Sequence, residues 1–360
     1  MMVEQESGDG KPSPKGGTVL SEDGHLLVGE FGVFIGLHSE RLQISRKGQT
    51  VLEAPLVKLS HVLILSNGVS VSSNAVRECC LRGIPVTFLD GKGQPYATLL
   101  SPELTGTVRT RREQLLAYGD ARGVHLSICF ARGKLGNQIN LLRYAAKYRK
   151  VRAPETFERV RLRWLAIEDI AKKLDCVSGG TVDEVRGEVL SIEGRGAQEY
   201  WEGVRDLLVD EHDWPGREGR GADDLINSML NYGYGVLASK VQQALVLAGL
   251  DPYAGFLHAD RSGKHSLVYD LIEEFRQPVV DRAVLAMLNL RAELGVDDGK
   301  LNDATRKLVA ERVLERLERG VERYKGKRHS LRAILHAQAR HIATYVRGEG
   351  KPYTPFVAGW

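Results

Sequence analysis

The chain has 360 residues, 42% of them hydrophobic, and a formal net charge of +4. That length and apolar content fit two ordinary globular domains and exclude a disordered chain. The longest apolar runs, such as "VLILS" (62–66) and "ALVLAGL" (244–250), fall well short of the roughly 20 residues that span a bilayer, so no membrane-spanning helix is expected.

In chain order, residues 1–18 begin with acidic residues and are rich in Gly, Ser and Pro, which reads as a flexible tail on a cytosolic protein rather than a signal peptide. From about Ser21 to Leu100, short β-branched and apolar runs alternate with turn residues, the pattern of strands. "RKGQ" (46–49) and "DGKGQP" (90–95) read as hairpin turns, since glycine supplies the positive φ such turns need. "SSNAVRECCLRG" places one helix among the strands, N-capped by Ser72 or Ser73 and ended by Gly83. After the connector "SPELTGT" (101–107) the apolar period becomes about 3.6. Helices are expected over 111–130, 136–150, 156–174, 182–209, 222–250, 267–292, 303–322 and 328–347. The fold class is therefore α+β: a β-rich, sandwich-like domain (19–104), a larger helical domain (105–347) and a C-terminal tail (348–360). Cys79, Cys80, Cys129 and Cys176 have neither a disulfide framework nor zinc-ligand spacing, and the pair Cys79–Cys80 reads as small hydrophobes.

Charge is unevenly spread. Residues 105–150 hold ten Lys or Arg against Glu113 and Asp120, and residues 323–348 hold seven Lys or Arg and no acid. Both blocks are interleaved with aromatic and amide side chains, which suits a phosphate backbone; each alone also reads as a solvated helix face. Arg109, Arg111, Arg112, Lys134 and Arg143 from the first block, and Arg328, Arg332 and Arg340 from the second, are the candidate phosphate contacts.

Three acidic positions draw attention. On a helix over 267–292, Asp270 and Glu273 are three apart and share a face, able to converge on one cation. The same residues also fit an exposed acidic first turn pairing with Arg276 or Arg282. His258 stands where the apolar "AGFL" opens into a polar loop and can present a ring nitrogen, with His265 a nearby competitor. Glu193 lies between Ile192 and Gly194, which points to a partly buried carboxylate approached closely by a backbone or ligand; a buried salt bridge fits it as well.

Taken together, "LSIEGRGAQEYW" (190–201), "LINSMLNYGYGVL" (225–237), "GLDPYAGFLHADRSGKHSLVYDLIEEFRQPVVDRAVL" (249–285) and "HAQARHIATYVRGEGKPYTPF" (336–356) closely resemble the CRISPR-associated spacer-acquisition integrases, the family called CRISPR-associated protein one. The similarity runs from about Val19 to the C-terminus. It implies a divalent metal, Mn²⁺ or Mg²⁺, held by Glu193, His258 and Glu273, with Asp270 as a supporting member of the catalytic set. It also implies a DNA integrase or endonuclease in which a 3′-OH attacks a phosphodiester at the border of a CRISPR repeat. The implied partners are DNA (prespacer and repeat), CRISPR-associated protein two, and a second copy of the chain, dimerising through the β-rich domain, with two such dimers in the integration complex. Two carboxylates and one imidazole are the hard donor set that Mn²⁺ or Mg²⁺ prefers over structural zinc. A branched- or single-stranded-DNA nuclease and a non-catalytic DNA-binding scaffold remain the alternatives.

Overall fold

A computed structural model describes residues 17–99, 108–208, 214–219, 222–289, 294–297 and 299–359. The expected connector 101–107 and nearly all of the N-terminal tail lie outside them.

The N-terminal strands build two sheets. One has the order β1 (Val19–Leu20), β2 (His25–Val28), β6 (His61–Ile64), β8 (Val86–Leu89), β9 (Pro95–Leu99); the other has β5 (Gln49–Pro55), β4 (Arg41–Arg46), β3 (Val33–His38), β7 (Ser70–Val71). Strands β2, β6 and β8 run parallel to one another. Alternation along them divides their side chains between two cores. Leu26, Val28, Val62 and Ile64 pack with Val33, Ile35, Leu42 and Ile44 between the sheets, while Leu27 and Leu63 join the helical core on the other side. Burial on both faces is why these strands read as unbroken apolar runs. The turns form as their sequences dictate: Lys47 (φ 50°) and Gly48 (φ 79°) close β4–β5. In the β8–β9 turn the Asp90 carboxylate accepts from Lys92 N and Gln94 N, both at 2.8 Å, and Gly93 takes φ 77°. Helix α1 (Ser73–Leu81) is capped by Ser72, whose hydroxyl accepts from Ala75 N.

The second domain is mainly helical: α2 (Val108–Ala117), α3 (Ala121–Ala146), α4 (Arg149–Arg152), α5 (Pro154–Lys172), α6 (Val182–Leu208), α7 (Leu225–Leu247), α8 (Ser266–Ile272), α9 (Arg282–Asn289), α10 (Asp303–Arg319) and α11 (Leu331–Val346). Helices α3, α5 and α6 pack together, and α7 lies against α8, α10, α11 and strands β8 and β9. Two hairpins interrupt the helices, β10–β11 (Val296–Asp297, Lys300–Leu301) and β12–β13 (Val321–Tyr324, Lys327–Ser330), so Arg328 lies on a strand where the sequence pattern indicated helix. Among the described residues no helix is long and apolar enough to cross a membrane.

Two departures from the expected elements shape the site. The helix expected over 267–292 stops at Ile272, turns through 273–275, and resumes as a π-helical turn at Arg276–Asp281 before α9. Pro278, within that turn, cannot donate a backbone hydrogen bond, which the wider i→i+5 register accommodates. The segment after α11, read from the sequence as a tail, is buried against α3: Tyr353 and Ala358 are fully buried and Phe356 nearly so.

Glycines bring the two domains into backbone contact. A Cβ on Gly235 of α7 would stand 1.5 Å from Gly93 O in the β8–β9 turn, and one on Gly93 would stand 2.6 Å from Tyr232 Cα. The "NYGYG" run of α7 is therefore the seat of that turn.

Candidate metal centre

Helices α3 and α6, the loop 255–265, and α8 with the turn that follows it supply the site. Gly133 permits the close approach of α3, because a Cβ there would meet Glu274 Cγ at 2.8 Å and Pro355 Cβ at 2.9 Å. Gly196 does the same for α6, its missing Cβ lying 2.3 Å from Leu135 Cδ2. Gly194, beside Glu193, has open space around it instead, so the close approach is made two residues further along.

Asp270 is fully buried and points away from Glu273. Its carboxylate accepts backbone N–H groups of Phe256 (2.6 Å), Leu257 (3.2 Å) and His258 (2.9 Å), and it takes the Nδ1–H of His258 at 2.8 Å. Four donors on one carboxylate fold the loop around it and fix the imidazole tautomer. Burial works against the charged imidazole, but the Asp270 hydrogen bond and charge prevail and move His258 above its ordinary range. Among the described residues Nε2 of His258 has no hydrogen-bond partner. His265 packs against Tyr253, the rings tilted by 38° with centroids 4.4 Å apart.

Glu193, on α6, and Glu273, just past the end of α8, meet instead across Lys134 of α3. The Lys134 ammonium touches a Glu193 oxygen and lies 3.0 Å from Glu273 Oε2. Arg276 adds a second cation, its guanidinium 3.4 Å from Glu273 Oε1 and 4.8 Å from the Tyr234 ring centre. Burial opposes ionisation of Glu273, yet Arg276, Lys134 and His258 together hold it down to about 2. Behind Arg276, Asp281 accepts from Tyr200 OH (2.7 Å) and Tyr234 OH (2.5 Å).

Next to Glu273, Glu274 turns the opposite way into a buried network. Its oxygens accept from Tyr353 OH (2.6 Å), Gln338 Nε2 (2.8 Å) and Phe356 N (2.8 Å). Asn137 of α3 completes the junction by donating to Glu274 O (3.0 Å) and Phe356 O (2.9 Å). Burial lifts the Glu274 carboxyl to about 7.

The donor set suits a hard divalent ion in kind. Glu193 Oε1 and Glu273 Oε2 are buried, lack any well-formed hydrogen bond, and already converge on a positive charge. Among the described residues no three His, Cys, Asp or Glu side chains are gathered tightly enough to hold an ion as they stand. The ammonium of Lys134 takes the central place between the two glutamates.

Of the other basic candidates, Arg111, Arg112, Arg328, Arg332 and Arg340 are exposed. Arg109 pairs with Glu349 at 3.2 Å, Arg143 with Glu168, and Arg332 with Glu318 at 3.2 Å. The sequence pattern puts Lys134 among the phosphate contacts and treats Arg276 only as an ion-pair partner of an acidic helix turn; the structure brings both to the two glutamates. Gly133, which brings α3 against Glu274, was the available signal.

Comparison with known proteins locates this architecture. The family model described as CRISPR associated protein Cas1 matches residues 26–315. The CRISPR-associated endonuclease Cas1 1 of Archaeoglobus fulgidus is 38% identical over 93% of this chain and 99% of its own length. Among solved structures, a casposase bound to integration product superposes with a TM-score of 0.75 at 23% identity, covering 92% of each chain. A Cas6-RT-Cas1–Cas2 complex gives 0.74 at 16% identity, covering 96% of this chain and 37% of that one.

Proposed function

This chain belongs to the Cas1 family, and from that premise we propose that it is a cytoplasmic, metal-dependent DNA integrase of CRISPR adaptation. The observation that carries this reading is the pair of buried carboxylates, Glu193 and Glu273, converging on one cation, next to a loop whose His258 is aimed by Asp270.

In this reading Glu193, Glu273 and His258 Nε2 hold Mn²⁺ or Mg²⁺. Such an ion, when bound, polarises the phosphoryl group and favours the deprotonated nucleophile. Arg276 keeps Glu273 ionised and oriented. Asp270 holds the proton on His258 Nδ1, which leaves Nε2 as the free donor atom. In the metal-free protein Lys134 bridges the two carboxylates, and it would have to withdraw for the ion to enter. Exposed Arg111, Arg112, Arg328 and Arg340 are candidates to position the DNA backbone without reading sequence.

The reaction is attack by the 3′-OH of a short DNA on a phosphodiester at a repeat border. A P–O bond forms to that 3′ oxygen as the bond to the target strand's own 3′ oxygen breaks, and the latter leaves as a new 3′-OH. With water as nucleophile the same residues cleave DNA, consistent with the endonuclease name of the A. fulgidus relative. The likeness to a Cas1–Cas2 complex supports Cas2 as partner. The exposed Phe31, Phe34, Val51 and Val57 support self-association through the β-rich domain.

The test is strand transfer of a 3′-OH duplex into a repeat-bearing plasmid, with the Cas2 partner and Mn²⁺ present. Glu193→Gln, His258→Ala and Glu273→Gln should each abolish product while retaining most DNA binding. Undiminished integration by all three variants overturns the assigned site.

A further inference from the structure

A second cluster of charged side chains lies at the seam between the two domains and shares no residue with the acidic site. Here a cavity of about 330 Å³ is lined by His25 and Ser60 of the β-rich domain, Arg82 at the end of α1, Lys240 of α7, Glu318 of α10, and Arg332 and His336 of α11. His25 and Lys240 form its floor, 1% and 5% exposed. Arg82 and Arg332, both partly open to solvent, stand at its rim.

The cavity's one carboxylate is already committed. Glu318 takes His25 Nε2 at 2.9 Å through one oxygen and Arg332 at 3.2 Å through the other. Arg82 is paired outward, with Glu78 and Glu40. With Nε2 facing Glu318, His25 presents an acceptor at Nδ1, which Ser60 Oγ approaches at 3.1 Å and Lys240 Nζ at 3.3 Å. The Lys240 ammonium thus has a neutral ring nitrogen where a buried cation ordinarily has a carboxylate. The titrating groups agree with a deficit of negative charge. Burial brings Lys240 down to about 7. Burial, with Arg332, Arg340 and Lys240 adding to it, brings His336 down to about 4.

We propose that this seam cavity is a phosphate-binding site, taking a phosphoryl dianion between Lys240 on its floor and Arg332 and Arg82 at its mouth. A phosphoryl group is the anion whose several oxygens can be met from several directions at once, by an ammonium and two guanidinium forks. Because Arg82 and His25 belong to one domain and Lys240 and Arg332 to the other, the bound anion bridges them. Two sources present this chemistry: a free phosphate or mononucleotide, and the 5′-phosphate of a DNA end.

The experiment is thermal unfolding in EDTA, comparing inorganic phosphate with chloride at matched ionic strength, in wild type, Lys240→Met and Arg332→Gln. Phosphate is expected to raise the wild-type melting temperature, with at least a tenfold loss of apparent affinity in Lys240→Met and a smaller loss in the surface variant Arg332→Gln. Lys240→Met should melt no lower than wild type in chloride, which separates loss of binding from loss of fold. In parallel, a short duplex with 5′-phosphate ends is compared with the same duplex carrying 5′-hydroxyl ends. A preference for the phosphorylated duplex that Lys240→Met abolishes identifies the DNA end as the source; protection by free phosphate alone identifies the small anion. Equal responses of wild type and Lys240→Met, or no wild-type response to either ligand, overturn the proposal.

Discussion

The Lys134 ammonium lies 3.0 Å from a carboxylate oxygen of Glu273, in a space where only 12% of the one side chain and 3% of the other are exposed. A buried carboxylate pair is thereby offset in part by a charge the protein carries itself, with Arg276 supplying a second. Removing the lysine charge in Lys134→Met leaves Glu193 without its cation and Glu273 with Arg276 alone, a cost of about 3–5 kcal/mol in the metal-free protein. Mn²⁺ should then raise the melting temperature of Lys134→Met more than that of wild type, and should not raise that of Glu193→Gln. Melting curves in EDTA and in Mn²⁺ check this; the same Mn²⁺ response in wild type and Lys134→Met would count against the shared cation site.

Asp270 accepts four N–H donors and offers none. In Asp270→Asn the amide NH₂ must face at least one of them, leaving buried donors unmet at about 1–3 kcal/mol each. His258 should also lose its fixed Nδ1–H tautomer. The ring ¹⁵N shifts of His258 report this directly, and an unchanged tautomer in Asp270→Asn would show that the carboxylate does not set it.

The Glu274 carboxyl gives a pH signature with a definite sign. Its folded value of about 7 lies above the ordinary 4.5, so between those limits the folded protein keeps a proton that the unfolded chain releases. The stability this group contributes is therefore present at the acid end and lost as pH rises through 7. Glu274→Gln cannot titrate. Relative to it, wild type should lose on the order of 3 kcal/mol between pH 4.5 and about pH 8. Urea titrations of both proteins across that range test it; parallel curves would contradict a buried, late-titrating carboxyl.

Gly235→Ala places a methyl group within 1.5 Å of Gly93 O, a backbone atom that cannot swing aside. The β8–β9 turn must lift from α7, at a cost of at least about 1–3 kcal/mol. Limited proteolysis should then cut near Gly93 in the variant and not in wild type.

The sequence was most informative where one residue type has one physical use. Ser72 caps α1, Lys47–Gly48 and Gly93 turn the hairpins, and the apolar runs of β2 and β6 announced strands buried on both faces. It was least informative where a side chain's direction depends on a break in the helix. Asp270 and Glu273 at a spacing of three imply a shared face, but the helix ends between them and they diverge to different partners. Lys134, placed by its basic neighbours among the phosphate contacts, lies beside Glu193 because Gly196 lets α6 approach Leu135 of α3, while Gly133 lets α3 approach Glu274. Gly133 marks a close approach of α3, but it does not name Glu193, 59 residues along the chain, as the partner of Lys134.

The strap formed by Tyr353, Phe356 and Ala358 has a bearing on timing. Glu274 takes Tyr353 OH and Phe356 N, and Asn137 meets Phe356 O and Ala358 N, from this strap, which leaves the ribosome after every other element of the site has emerged. A nascent chain that has already folded α3, α6 and α8 still has an open groove where the strap will lie. The buried network around Glu274 is thus completed last, and a chain interrupted before Tyr353 would expose that groove to solvent and to chaperones.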